Sequence, residues 1–476
     1  MYDASSISEY ALSIASPVNE TDNCRSSSKS VCILMGQAVI LAAPESGSGK
    51  TTLTLALLRA MRRRGIVVGS AKIGPDYIDP TFHRAASGRP CLSIDSWAMQ
   101  QSTFYHQTQR ITHENDFTLV EGVMGLFDGT PDGTGSTAHV AKLTEWPIIL
   151  IVDASGMAAS AAALIKGFNT YDPDIKISGI IFNRVGSDRH GQLLTKAVET
   201  SSIPVLGYVC RNSKLELPNR HLGLIQAEEI TNLNDFLEDA ATLVGEQVDL
   251  LGIRNLGTSC IDRNPSHCLP IPIIGQRLAL ARDSAFAFSY EFIIEGWRRE
   301  GVEILPFSPL ANEAPNPNAD AVYLPGGYPE LHAETLANAT RFLEGVRQAA
   351  RKRLPVYGEC GGYMVLGETL QDNQGSFHKM CGLLPVKTSF LHPKLTLGYR
   401  DIHLNQDCVL GSRKEHYKGH EFHFSSATMT KNTQTLFEVS DTLGDTVGSS
   451  GCQVGSVAGS YLHLIDGPQN STGPGH

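Results

Sequence analysis

The feature that most constrains this chain is a glycine-rich segment near its start, between an apolar run and a leucine-rich run. Residues 39–43 are short and apolar, as in a buried strand, and residues 51–64 carry leucine at helical spacing. The segment between them supplies Gly47, Ser48, Gly49, Lys50, Thr51 and Thr52. A strand, a glycine-rich loop and a helix in this order predict a nucleotide phosphate site.

The loop follows the pattern G-x-x-x-x-G-K-[ST], with Pro44 in place of the first glycine. Gly47 and Gly49 allow backbone N–H groups to turn toward phosphate oxygens. Lys50 is expected to reach the β and γ phosphates of ATP, and Thr51 to offer its hydroxyl to Mg²⁺. Residues 47–52 are therefore our candidate ATP contacts.

Acidic residues follow the next two predicted strands, at residues 66–71 and 117–120. They are Asp76, Asp79 and Glu121. Ligands gather at the carboxyl ends of the strands in open α/β sheets, and Mg²⁺ binds carboxylates, so these three are candidate metal or catalytic groups. Asp76 and Asp79 stand next to prolines, so capping of turns is an open alternative for both.

A second candidate site lies in the C-terminal half, where Cys360 stands between glycines after a predicted strand. The glycines permit a tight turn that presents the thiol, and His463, after a predicted strand at 455–458, is the candidate base. Gly326 and Gly327 are expected to donate N–H groups to an oxyanion. A buried structural cysteine is the alternative for Cys360. The pairing of the two motifs predicts that ATP activates one substrate while the cysteine releases a reagent from another.

The composition is that of a soluble globular chain of two or three domains. The 476 residues are 41% hydrophobic and 18% charged, and the net charge of −10 argues against a general nucleic-acid partner. Ten cysteines form no CxxC pair, which argues against a zinc site or disulfide framework and favours the cytoplasm. No apolar run approaches the ~20 residues of a membrane span.

Apolar strands alternate with helical stretches, which predicts an α/β chain with mostly parallel sheets. Composition shifts divide it into five segments. They are a disordered leader at 1–36, a first domain at 37–251, a linker at 252–273, a second domain at 274–466 and a flexible tail at 467–476.

Together the motifs resemble those of the cobyrinic acid and hydrogenobyrinic acid a,c-diamide synthase family, over residues 37–466. The segments that carry the resemblance are residues 43–52, 72–80, 121–129, 324–330, 358–363, 397–400, 419–424 and 459–463. The resemblance implies an N-terminal P-loop domain of the dethiobiotin synthetase type, which binds ATP and the corrinoid. It also implies a C-terminal domain like the class I glutamine amidotransferases.

The family's chemistry implies that ATP converts the a and c carboxylates of the macrocycle into acyl phosphates, which ammonia from glutamine then amidates. By resemblance, the catalytic groups around the metal and acyl phosphate are Asp76, Asp79, Glu121 and Asp128. Mg²⁺ would be held by Thr51, Asp76 and Glu121. Tyr77 and Ile78 fall where the family contacts the macrocycle, and Asn183, with Arg184, falls near the adenine.

The thiol site lacks an assigned third member. Class I amidotransferases usually carry His-x-Glu, but Ile465 holds the glutamate position here. Asp466 or Glu421 could orient His463, or a Cys-His pair could suffice. Three other histidines are candidate site residues or packed side chains: His83, His139 and His423.

Several rival functions remain open from the sequence. Other amidases of this architecture act on related tetrapyrroles, as cobyric acid synthase and nickel sirohydrochlorin a,c-diamide synthase do. A partition-type ATPase would carry a signature lysine where this chain has Glu45, and would not need Cys360. A regulatory protein with an inactive amidase domain is disfavoured by the intact Cys360 and His463. The sequence leaves a homodimer open.

Overall fold

A computed structural model describes residues 36–216, 226–260 and 269–468. The predicted tail, apart from residues 467 and 468, and the predicted leader, apart from residue 36, lie outside the described residues.

The first half of the chain forms a sheet around a buried P-loop strand. Its strands are β1 Gln37–Ala42, β2 Val68–Ile73, β3 Cys91–Ile94, β4 Phe117–Glu121, β5 Ile148–Asp153, β6 Ile177–Val185, β7 Val205–Cys210 and β8 Thr258–Ser259. Their order is β3-β2-β4-β1-β5-β6-β7, all parallel, and β8 pairs antiparallel with β1. Strand β1 is central and almost wholly buried, which explains its continuous apolar run.

Helices connect these strands. They are α1 Lys50–Arg63, α2 Asp79–Ser87, α3 Gln101–His113, α4 Thr137–Thr144, α5 Ser160–Tyr171, α6 Asp188–Val198, α7 Leu233–Gln247 and α8 Leu250–Leu256. Helix α1 packs against α2 and α7 through its buried leucines. Since α1 follows β1 through the glycine-rich loop, the N-terminus of α1 lies at the carboxyl edge of the parallel sheet.

The second half has a mixed sheet whose parallel part resembles the first in construction. Its strands are β9 Arg277–Ala281, β10 Glu303–Phe307, β11 Ala321–Leu324, β12 Val356–Glu359, β16 Thr396–Leu404, β17 His416–His423, β19 Thr435–Ser440, β20 Thr446–Val454, β21 Val457–Ser460 and β22 Leu462–Asp466. The order is β10-β9-β11-β12-β21-β20-β19-β16-β17-β22. Strands β9 to β12 and β21 are parallel, and the others extend the sheet in antiparallel fashion.

The remaining elements complete the second half. The helices are α9 Glu291–Arg299, α10 Ala333–Asn338, α11 Thr340–Arg351 and α12 Gly361–Leu366. A small sheet contains β13 Thr369–Gln371, β14 Phe377–Lys379, β15 Val386–Ser389 and β18 Ser426–Met429. Among all the described residues, none of the helices combines the length and apolarity needed to cross a membrane.

The α/β architecture, with two large sheets and one small one among the described residues, confirms the predicted fold class. The predicted domain boundaries stay a prediction. Residues 252–260 of the predicted linker complete α8 and form β8 in the first sheet, residues 261–268 lie outside the described ranges, and Ile271 accepts a hydrogen bond from Trp297 Nε1 at 2.9 Å.

Candidate active sites

The glycine-rich loop has the backbone that a phosphate site requires. Gly47 and Gly49 have φ values of 81° and 84°, in the left-handed region that favours glycine. A β-carbon on Gly49 would lie 2.2 Å from Asn183 Nδ2, which donates a hydrogen bond to the Ser48 carbonyl oxygen at 2.8 Å. Asn183, predicted near the adenine, thus contacts the glycine-rich loop, and its contact with the adenine stays a prediction.

Lys50 begins α1 and is buried, with its ammonium group 2.6 Å from the carbonyl oxygen of Met124. Burial lowers the pKa of Lys50 to about 8, partly offset by the negative charge of Glu121. An anion beside this ammonium would favour its charged form. The role of Lys50 in binding phosphate stays a prediction.

Glu121, at the end of β4, is the centre of a buried polar cluster. Its Oε1 accepts hydrogen bonds from Thr51 Oγ1 at 2.6 Å and from Lys72 Nζ at 2.8 Å. Asp79 Oδ2 lies 2.6 Å from Lys72 Nζ and 3.3 Å from Thr51 Oγ1. Burial alone would raise the pKa of Glu121, but Lys72 and His83 hold it well below its usual value.

His83 completes the cluster from α2, with Nε2 2.7 Å from Glu121 Oε2 and Nδ1 3.5 Å from Cys91 Sγ. Burial opposes its charged form, but the contacts with Cys91 and Glu121 raise the pKa of His83 to about 10. Of the three further candidate histidines, His83 is therefore the one that joins the polar cluster around Glu121. His139 lies apart from it on α4, with Nδ1 2.9 Å from Ser96 Oγ.

Asp76 and Asp128 make mainly backbone contacts. Asp76 Oδ1 accepts hydrogen bonds from the N–H groups of Ile78 and Asp79, so this carboxylate does cap the turn, and its Oδ2 lies 3.9 Å from Lys72 Nζ. Asp128 Oδ2 accepts a hydrogen bond from the Gly125 N–H at 2.9 Å. Their catalytic roles stay a prediction.

The oxygen atoms around Thr51 are of the kind that Mg²⁺ prefers. The Thr51 hydroxyl contacts both Glu121 and Asp79, and the Lys72 ammonium lies between the same two carboxylates. Hard oxygen donors converge there, on the hydroxyl and two carboxylates, so the residue types fit the ion. In this structure Asp79, rather than the predicted Asp76, shares the contact with Thr51.

A cavity of about 810 Å³ opens beside the glycine-rich loop. Its lining includes Gly49, Thr52, Asn183, Arg184, Arg211 and Asn212. The size is within the usual range for small-molecule sites, and its position next to the loop suits a nucleoside. Arg211 and Asn212 carry no motif in the sequence, so only the fold reveals them.

Cys360 occupies a strained turn between β12 and α12. Its φ of 45° and ψ of −103° are rarely adopted by a residue with a side chain, and such strain costs roughly 1–3 kcal/mol. The thiol lies at the N-terminus of α12, with Sγ 3.6 Å from the Phe422 carbonyl oxygen. Burial, then the charge of Glu330, raises the pKa of Cys360, and N–H groups of Gly361 and Gly327 oppose that rise.

His463 lies against the predicted oxyanion loop. A β-carbon on Gly326 would stand 2.3 Å from His463 Cε1, so only glycine permits this approach. The ring is fully buried, and neither nitrogen has a hydrogen-bond partner in the part of the chain that the structure describes. Burial holds the pKa of His463 well below its usual value, so the ring is a neutral base without a bonded partner.

The two candidates for a third member have other partners. Asp466 Oδ2 accepts a hydrogen bond from the Gln100 N–H at 2.6 Å. Glu421 Oε2 accepts one from Arg400 Nε at 2.7 Å, and its Oε1 lies 3.7 Å from His423 Nε2. Glu421 is thus paired with His423, which follows Phe422 in the chain.

Tyr77 connects the first site to the second. The centroid of its ring lies 4.4 Å from that of Tyr290, 5.1 Å from those of Phe288 and His463, and 5.5 Å from that of His420. Tyr77 and the neighbouring Ile78 are each only 9% exposed. In this structure the two predicted macrocycle contacts are thus largely covered by protein, and their role stays a prediction.

Two functional candidates escaped the sequence analysis. Lys72 lies in strand β2, between the apolar residues Ala71 and Ile73. Its position before Asp76 was the only feature of the sequence that pointed to a functional role. Glu330 follows the oxyanion loop, and its Oε2 is buried with no hydrogen-bond partner among the described residues. Burial raises the pKa of Glu330 to about 7.

Comparisons with known proteins agree with this geometry. Residues 39–225 match the CobQ/CobB/MinD/ParA nucleotide binding domain, and residues 277–470 match the CobB/CobQ-like glutamine amidotransferase domain. The hydrogenobyrinate a,c-diamide synthase of Brucella anthropi is 50% identical over 430 residues, which cover 90% of this chain and 98% of the relative. The enzymes of the same name from Brucella abortus and Mesorhizobium japonicum are 48% and 45% identical, over 90% and 91% of this chain and 98% and 99% of theirs. The chain therefore belongs to the hydrogenobyrinate a,c-diamide synthase family.

Proposed function

We propose that this enzyme amidates the a and c carboxylates of hydrogenobyrinic acid with ATP and glutamine, as a step of cobalamin biosynthesis. The observation that carries the proposal is the pairing of two centres in one chain. The buried Lys50–Thr51–Glu121 cluster adjoins a nucleoside-sized cavity, and the strained Cys360 lies beside a glycine loop. The first centre would activate a carboxylate and the second would release ammonia, so amidation with glutamine as the nitrogen source needs both.

The first centre activates the substrate. A carboxylate oxygen of the macrocycle attacks the γ-phosphorus of ATP, the bond to the β-phosphate oxygen breaks, and ADP leaves. Phosphoryl transfer depends mostly on positioning and charge neutralisation, which Lys50 and Lys72 supply. Thr51, Asp79 and Glu121 would hold Mg²⁺, with Asp76 in reach, and the ion when bound would neutralise phosphate charge.

The second centre releases ammonia. The Cys360 thiolate attacks the side-chain amide carbon of glutamine, and the Gly326 and Gly327 N–H groups stabilise the oxyanion. Proton transfer to the leaving nitrogen frees ammonia and leaves a thioester, which water hydrolyses to glutamate. Ammonia then attacks the acyl phosphate and displaces phosphate to give the amide.

The base at this centre has two candidates. His463 is neutral and lies against the oxyanion loop, which supports the role predicted from the sequence. His423 is the second candidate, because it pairs with the Glu421 carboxylate and follows the residue whose carbonyl contacts the thiol. We favour His463 because its ring lies directly against Gly326 of the oxyanion loop.

Glu330 is our candidate for recognition of glutamine. Free glutamine carries an α-ammonium group, and a buried carboxylate oxygen without a partner is a favourable place for such a cation. Pro329 packs on Gly361, next to the thiol, which places the segment of Glu330 beside Cys360. The charge of Glu330 also raises the pKa of Cys360.

The test is to incubate the purified enzyme with hydrogenobyrinic acid, ATP, Mg²⁺ and glutamine, and to measure the molecular mass of the product. We expect conversion of two carboxylates to amides with ATP and glutamine consumed. Lys50→Ala should stop amidation from glutamine and from free ammonia alike, because acyl phosphate no longer forms. Retained turnover in Lys50→Ala, or an unchanged product mass with the native enzyme, would refute the proposal. From the cysteine usage we also expect a cytoplasmic location.

A further inference from the structure

A cluster of two histidines and one aspartate lies on strands β16 and β17, among residues that the two reaction centres do not use. Asp401 Oδ1 lies 2.6 Å from His416 Nε2 and 3.3 Å from His403 Nε2. One ligand atom from each residue falls within 4.8 Å of the others. The two imidazole rings stack, with centroids 4.7 Å apart and planes 16° from parallel.

The backbone places these side chains by the strand register. His403 and His416 are direct cross-strand partners, and Asp401 is two residues before His403, hence on the same face. On the opposite face Ile402 and Tyr417 are fully buried and anchor the strand pair. The cluster is therefore held by an ordered sheet rather than by a loose loop.

Lys418, the direct partner of Asp401 across the strands, does not neutralise the carboxylate by contact. Its ammonium group donates to the Trp97 carbonyl oxygen at 3.1 Å and lies over the Trp97 ring at 4.5 Å. The Asp401 carboxylate is therefore left to face the two imidazole rings.

We propose that Asp401, His403 and His416 form a binding site for a divalent transition-metal ion. Imidazole nitrogens suit Zn²⁺, Co²⁺, Ni²⁺ and Cu²⁺, whereas Mg²⁺ and Ca²⁺ prefer sites made of oxygen. Glu438 on β19 is the direct partner of His403 on its other side and is exposed, which makes it the nearest candidate for a fourth ligand. His403 is about half exposed, so ions have direct access.

The test uses the full chain without an affinity tag, stripped with a chelator and dialysed. Titration with Co²⁺ is followed by visible absorption, and Zn²⁺ affinity by competition with a chromophoric chelator. We expect the native chain to bind one more metal ion than the double variant His403→Gln/His416→Gln. If the variant still binds this additional ion, its affinity should be at least about tenfold lower than that of the native chain. Excess Mg²⁺ should not displace it.

The matched control is His378→Gln. His378 also pairs with an aspartate, with its Nε2 2.8 Å from Asp372 Oδ2. Among the described residues, this pair is not part of a cluster of three possible metal ligands. This variant should bind Co²⁺ and Zn²⁺ like the native chain. Equal stoichiometry and affinity in the native chain and the double variant would overturn the proposal, as would displacement of the ion by Mg²⁺.

Discussion

The ring of Tyr77, which lies between the phosphate site's β2 and α2, stands 5.1 Å from the imidazole of His463 in the amidotransferase half. The contact joins a loop that ends in Asp79, a member of the Glu121 cluster, to the candidate base of the thiol site. A shift of this loop when ATP or the macrocycle binds would alter the packing around His463. The two reactions would thereby be coupled.

Replacing Tyr77 should separate the two activities. For Tyr77→Ala we expect a loss of about 3 kcal/mol in unfolding free energy, because a buried aromatic ring is removed. We also expect glutamine hydrolysis to lose its response to added ATP and tetrapyrrole. The unfolding free energy is measured by denaturant unfolding. The response of glutamine hydrolysis is measured as glutamate release with and without ATP and tetrapyrrole. Tyr77→Phe keeps the ring and should keep the response; an equal response in Tyr77→Ala would contradict the coupling.

The identity of the base can be decided with two matched variants. His463→Ala should abolish amidation from glutamine, as Cys360→Ala should, while amidation from free ammonia continues, because the phosphate site is intact. His423→Ala removes one of the partners of Glu421 and should reduce glutamine use less. The measurement is amide formation with glutamine or ammonium as the nitrogen source. A greater loss in His423→Ala than in His463→Ala would reverse the assignment.

Glu330→Gln tests recognition of glutamine. The variant is close in size but carries no charge, so the KM for glutamine should rise about tenfold or more, since hydrogen bonds to charged groups contribute about 1.5–3 kcal/mol. The rate with free ammonia should not change. Glu334→Gln, on the exposed face of α10, is the control and should keep the native KM. An unchanged KM in Glu330→Gln would exclude the proposed contact.

The parallel strands were predicted well because they are buried on both faces and read as continuous apolar runs. Strands β1, β2 and β4 lie within two residues of their predicted positions at 39–43, 66–71 and 117–120. The antiparallel strands β16, β17, β19 and β20 were missed, since they carry mixed polar and apolar residues. Their pairing, such as His403 with His416, depends on partners far away in sequence.

The candidate sites were predicted where a local motif carries the chemistry. The glycine-rich loop, Glu121 and Cys360 each stand at a strand end that the sequence marks. Lys72 was missed because its role depends on Asp79 and Glu121, which reach it only through the fold. The contact of Tyr77 with His463 could not be predicted for the same reason, because the two residues lie 386 positions apart in the sequence.

The contacts of His83 with Cys91 and Glu121 predict a pH dependence of stability. The pKa of His83 is about 10 in the folded chain, against about 6.5 in an unfolded one. Below pH 6.5 both states hold the proton and the stabilisation is fully present. Between pH 6.5 and 10 only the folded state keeps the proton, so the unfolding free energy falls by up to about 1.4 kcal/mol for each pH unit.

His83→Gln should therefore flatten the pH profile. We expect the melting temperature of the native chain to exceed that of the variant most at pH 6, and the difference to shrink by pH 9, because the native chain alone loses this contribution. The control is His139→Gln, since burial lowers rather than raises the pKa of His139. A difference between native chain and His83→Gln that stays constant from pH 6 to 9 would mean that His83 is neutral in the fold, and its contact with Glu121 would then be a hydrogen bond without an ion pair.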